Sequence, residues 1–135
     1  MTQAVTVGSA PSRTYEHFLE DLRDPDVPGP VVSPRRFSEA LHIDLQTLAD
    51  QAGVHRNTIA RAPSSTTVQR FLRDALRVIK AGSDVAGGDL ERALFWYRNQ
   101  PLAPFGYKTA EQLVATGRTE DVLRYTASLS AGAAG

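Results

Sequence analysis

The sequence predicts an all-α protein in which an N-terminal helix-turn-helix lobe is followed by a small helical C-terminal lobe. Three observations carry this expectation. Apolar residues recur at helical spacing from Arg36 onward. The periodic stretches are punctuated by Ser, Thr, Gly and Pro where helices start and stop. One stretch, FSEALHIDLQTLADQAGVHRNTIAR, has the spacing of two helices joined by a tight glycine turn. The chain divides on this reading into an N-terminal arm over 1–34, mostly flexible, a helix-turn-helix lobe with a long connecting helix over 35–82, and a C-terminal lobe over 83–135.

The arm holds five of the eight prolines, at 11, 25, 28, 30 and 34. Within it Tyr15, Phe18, Leu19 and Leu22 recur at helical spacing in YEHFLEDLR, enough for a two-turn helix that docks on its own body or on a second subunit. Two arginines stand against five acids over 1–34, a net charge of minus 3, so the arm can also lie against a basic neighbour and compete with DNA for it.

Residues 35–80 carry eight cations against four acids, plus 4, which makes this the part of the chain suited to a polyanion. A first helix with Phe37, Ala40 and Leu41 inward leads to a second over Leu45 to Ala52, with Leu48 and Ala49 inward. Gly53 takes the turn, Val54 plugs the core, and His55 to Arg61 forms the next helix with Ile59 inward. That leaves His55, Arg56, Asn57, Thr58 and Arg61 outside. Arginine pairs with guanine edges or phosphate, asparagine with adenine edges, and threonine with phosphate or a thymine methyl, so these are the expected DNA-binding residues. Ala62 and Pro63 end the helix early, which limits the number of base contacts. The competing interpretation is a degenerate helix-turn-helix kept as a structural or dimerisation piece. A long helix is expected over 67–81, ended at Gly82, with Val68, Phe71, Leu72, Ala75, Leu76 and Ile79 on its apolar face. Arg70, Arg73, Arg77 and Lys80 share the opposite side, either as a solvated face, as phosphate contacts beside the recognition helix, or as a docking strip for an acidic partner. GSDVAGGD then reads as a flexible joint.

The C-terminal lobe opens with a helix over 90–98 whose inner face is Leu90, Ala93, Leu94 and Tyr97, flanked by Phe95 and Trp96, with Glu91, Arg92 and Arg98 toward water. Asn99, Gln100 and Pro101 stop it. After the apolar loop LAPFGY, Thr109 caps the next helix with Gln112 completing a capping box, and Gly117 ends it. Thr119 and Gly132 bracket the last helix, whose Val122, Tyr125, Thr126 and Leu129 close on Leu113 and Val114. With five cations against six acids over 81–135, this module is a poor nucleic-acid binder and a better protein binder.

On these residues the module resembles the C-terminal toxin-binding region of Xre/MbcA/ParS-type antitoxins: Ala93 and Trp96, the Asn99 and Pro101 break, Gly106, Thr109 with Glu111, Leu113, Gly117, Val122 and Gly132. Ala110 stands where that family usually has proline, and Phe105 where a leucine is common. The resemblance implies the antitoxin of a type II toxin–antitoxin pair, a homodimer whose partner is a RES-domain toxin that consumes NAD⁺. It implies steric neutralisation by covering the toxin's NAD⁺ pocket, without a cofactor, and repression of its own operon through operator DNA. It assigns toxin contact to Trp96, Phe105, Arg118 and Arg124 and to the C-terminal end through Ser128, Ser130, Gly132 and Gly135. That end, SLSAGAAG, is small and uncharged, so it would act by occupying space.

Other classes have fewer supports. The chain has no cysteine, so it has no thiol nucleophile, disulfide or thiolate metal site, and His17, His42 and His55 lack ligand spacing. An activated-serine elbow, a phosphate-cradling glycine loop and paired carboxylates in an apolar segment are all missing, so an enzyme is not expected. No stretch reads as a signal peptide or membrane span, which makes a cytoplasmic location the expectation. The main alternative is a stand-alone helix-turn-helix transcription regulator with a small-ligand-sensing C-terminal module. A transposase fragment, suggested by YRNQPLAPFGYKTAEQL, lacks the length and the acidic triad.

Overall fold

Short polar side chains fix where the helices begin. Thr14, Ser33, Asp44, Ser65, Asp89 and Thr109 each accept a backbone N–H from the first turn that follows, satisfying donors that have no partner within the helix. The computed structural model, which describes residues 13–134, is all-α. Its helices are α1 (Tyr15–Leu22), α2 (Pro34–Leu41), α3 (Leu45–Ala52), α4 (Arg56–Arg61), α5 (Thr66–Val85), α6 (Leu90–Asn99), α7 (Ala110–Ala115) and α8 (Thr119–Ala134), with one 3₁₀ turn at Ala103–Phe105. Among the described residues there is no strand, only isolated bridges at Arg23–Val32 and Leu102–Lys108.

The 20-residue α5 is the axis of the fold. Val68, Leu72, Ala75, Leu76, Val78 and Ile79 are buried along it, and α2, α3, α6, α7 and α8 all pack on it, with α3 also touching α7. One continuous apolar cluster runs from Phe18 through Phe37, Leu48, Leu72 and Leu90 to Val122. Each such side chain contributes roughly 1.5–3 kcal/mol by leaving water.

Four expectations change. The part of the 1–34 arm that is described, from residue 13, packs on the body: Phe18 and Leu22 are buried, the Tyr15 hydroxyl donates to the Leu76 carbonyl at 3.2 Å, and Arg36 donates to the carbonyls of Asp21 and Arg23 at the end of α1. Residues 1–12 lie outside the described part. Gly82 does not end the long helix. α5 continues to Val85, so the expected boundary at 82 and half of the expected joint are helical, and the turn occupies only Ala86 to Asp89. Gly132 likewise lies inside α8 with no left-handed backbone, because the small residues around it continue the helix. Arg98 does not face water freely. It bonds Glu111 at 3.1 Å and the Leu41 carbonyl at 2.9 Å, tying α6 to α7 and to the end of α2.

A buried glutamine fixes the turn between α1 and α2. Gln69 of α5 accepts from the Val32 amide at 3.0 Å and donates to the carbonyls of Val32 and Pro63, both at 2.8 Å, satisfying backbone groups that would otherwise be stranded.

Candidate functional site

Two surfaces carry the residues singled out from sequence. The first is built by α3, its turn and α4. The Asp44 carboxylate caps α3 by accepting from the Thr47 amide at 2.7 Å. That bond, then the Thr47 hydroxyl and more weakly Arg56, hold the Asp44 carboxyl below the usual carboxylate range. α3 ends in a Schellman closure: the Gly53 amide donates to Asp50, the Val54 amide donates back to Ala49 at 3.0 Å, and Gly53 takes φ 72°. The chain reverses without a long loop, and α4 starts two residues later with only Ile59 fully buried. His55, Arg56, Asn57 and Arg61 are exposed, and Thr58 is half-buried. The His55 side chain makes no capping bond. Arg56, Arg61, Arg70 and Arg73 make no ion pair among the described residues.

The structure does not gather all eight expected DNA-binding residues in one place. His55, Arg56 and Asn57 line a shallow cleft with Gln46 and Asp50. Arg73 and Arg77 line a separate groove beside α1. Arg77 is also occupied within the chain, 3.4 Å from Asp74 and 3.0 Å from Glu120, and Lys80 bonds Asp84 at 2.7 Å. Arg70 is exposed.

The second surface is C-terminal. Trp96 is half-buried against α5 where Gly82 passes beneath it: a Cβ at position 82 would lie 2.8 Å from the Trp96 ring, so the helices can approach this closely only at glycine. Beside it is a groove of about 410 Å³ between α5, α6 and α8. Phe95 is 66% exposed on its rim, and Val85 and Leu129 are also exposed there, so three large apolar side chains face one opening. The sequence placed Phe95 only on the flank of its helix and Val85 in the expected joint, because exposure on this side depends on what does not cover it.

The remaining C-terminal candidates form a chain of contacts. Phe105 packs edge-on against Tyr125 at 5.7 Å, Arg118 lies 5.1 Å over the Phe105 ring, and Arg118 bonds Asp121 at 2.9 Å. Arg124 bonds the other oxygen of Asp121. The Arg118 bond, reinforced by Arg124, holds the Asp121 carboxyl below its ordinary range. The Ser128 hydroxyl donates to the Tyr125 carbonyl at 2.7 Å, and Ser130 and Gly132 are exposed on the last turns of α8. Gly135 lies outside the described residues. Two residues after Phe105, Tyr107 is 71% exposed with φ 65°, a left-handed backbone that is costly for a bulky residue and that has no local sequence signal. Among the described residues no group of His, Asp and Glu is placed to hold a metal ion, and no helix is long and apolar enough to cross a membrane. No family model, curated protein or solved structure matches this chain.

Proposed function

We propose that the protein is the antitoxin of a type II toxin–antitoxin pair, which binds and sterically neutralises a RES-domain, NAD⁺-degrading toxin and represses its own operon as a DNA-binding homodimer. The observation that carries the reading is the C-terminal surface. Phe95, Trp96 and Leu129 surround one groove, and Phe105, Arg118 and Arg124 form a linked aromatic and arginine cluster of the same C-terminal part, residue types of the kind that anchor protein interfaces. The sequence resemblance supplies the identity of the partner. The α3–α4 surface supports the operator half of the reading, because the Schellman turn presents unpaired Arg56, Asn57 and Arg61 on the face of a short helix.

The operator half is tested by gel shift on DNA from the promoter upstream of the gene. Arg56→Ala should weaken specific binding by about 1–3 kcal/mol if the guanidinium makes a two-point base contact. Unchanged binding by the Arg56→Ala, Asn57→Ala double variant contradicts it. A second reading, a stand-alone regulator that senses a small molecule, is favoured by the groove itself, since 410 Å³ is within the range of small-ligand pockets. Co-expression with the neighbouring gene separates the two: an antitoxin rescues growth from the neighbour's product and co-purifies with it, and a stand-alone sensor does neither.

A further inference from the structure

A separate groove lies between α1 and α5. Leu76, Val32 and Pro30 are among its apolar lining, and Leu19 stands at its edge with 40% of its surface exposed. Arg23, Arg73 and Arg77 surround it. α1 has the opposite sign: Glu16, Glu20 and Asp21 are all exposed, and the helix contains no lysine or arginine. Most of these charges are used within the chain, Glu20 with Arg23, Asp21 with Arg13, and Arg77 with Asp74 and Glu120. Glu16 and Arg73 are in no ion pair among the described residues.

We infer that this α1–α5 face is where two copies of the chain meet, Leu19 of each copy entering the groove of the other and Glu16 facing the other copy's Arg73. One surface carries both the projecting leucine and the apolar groove, and both the acidic ridge and the basic one. Such a surface is complementary to itself, and a two-fold axis makes every contact twice. The mixture of signs also argues against other occupants. DNA phosphates approaching Arg73 would meet the carboxylates of α1, and so would an acidic protein segment. The inference deepens the reading above, on which its expectation of a dimer rests, and it assigns Arg73 and Arg77 to the subunit contact in place of phosphate.

Sedimentation velocity of the full chain over a wide concentration range tests it. The wild type should be dimeric. Leu19→Asp and Arg73→Glu should each raise the dimer dissociation constant at least about tenfold, a 1.4 kcal/mol effect, while far-UV circular dichroism stays at the wild-type value. The exchange Glu16→Arg with Arg73→Glu should restore the dimer, which a merely destabilised variant would not do. If Leu19→Asp fails to fold, the Arg73 single and exchange variants decide alone. A wild type that is monomeric throughout overturns the inference, as does a dimer that survives both single changes or one that is lost instead in Phe95→Asp. Failure of the antitoxin reading is a separate outcome: wild-type protein that leaves the toxin's NAD⁺ consumption unchanged, whatever its state of association.

Discussion

Arg98 joins three parts of the chain through one guanidinium. It is about one-third exposed, whereas the Glu111 carboxylate that it meets is nearly covered, so removing the arginine strands a charge and also frees the Leu41 carbonyl. Arg98→Ala should lower stability by about 1.5–3 kcal/mol, read as the shift of a urea unfolding midpoint. Arg98→Lys should recover little, because an ammonium cannot reproduce the forked contact. Asp121 gives a pH-dependent counterpart. Its folded pKa is depressed, first by Arg118, so its clamp contributes above the ordinary aspartate value of about 3.9 and is lost as pH falls through the lower folded value. Carboxyl NMR titration should show Asp121 protonating below the ordinary aspartate value of about 3.9. In Arg118→Ala its midpoint should move up toward the ordinary value, and an unmoved midpoint contradicts the assignment.

At the scale of elements, α1 shows what a short acidic helix gains from docking. Eight residues are too few for a stable helix in water. Phe18 at full burial, the Tyr15 bond to Leu76 and the Arg36 bonds to the last carbonyls hold it in place. Phe18→Ala should cost about 3–5 kcal/mol, and amide exchange should rise over both α1 and the adjoining turn to Val32. Protection unchanged in that turn would mean that α1 is held elsewhere. The sequence made this helix visible through the spacing of Tyr15, Phe18, Leu19 and Leu22 and left its docking open between its own body and a second subunit, because the docking partners lie about 60 positions away. The same division runs through the fold. The Thr109–Gln112 capping box and the Gly53 turn were legible because every partner lies within a few residues. Gly82 was misleading because a glycine that permits close passage of Trp96 looks identical in sequence to one that ends a helix. The Arg98 network was illegible because it spans 57 residues between partners. On the candidate surfaces, the positions of α4 were readable, whereas the separation of Arg73 and Arg77 into another groove required the packing of α1.

For the whole molecule, the single apolar cluster from Phe18 to Val122 joins the α3–α4 surface to the C-terminal surface through α5. The last turns of α8 differ from this body: Ala127 through Gly132 are exposed, so their loss leaves the core untouched. Truncation after Leu129 should preserve the thermal midpoint and operator binding while weakening toxin neutralisation. If it inhibits as well as the full chain, the blocking surface lies on the helices around Trp96, Phe105 and Arg118. The most direct test of the antitoxin reading is a titration of the neighbouring gene's product with the full chain, following NAD⁺ consumption. The account predicts that consumption falls to zero at a fixed molar ratio, and that a Trp96→Ala, Phe95→Asp variant with a wild-type helical spectrum needs far more protein to reach the same point. Consumption of NAD⁺ at an undiminished rate in the presence of excess wild-type protein would contradict it.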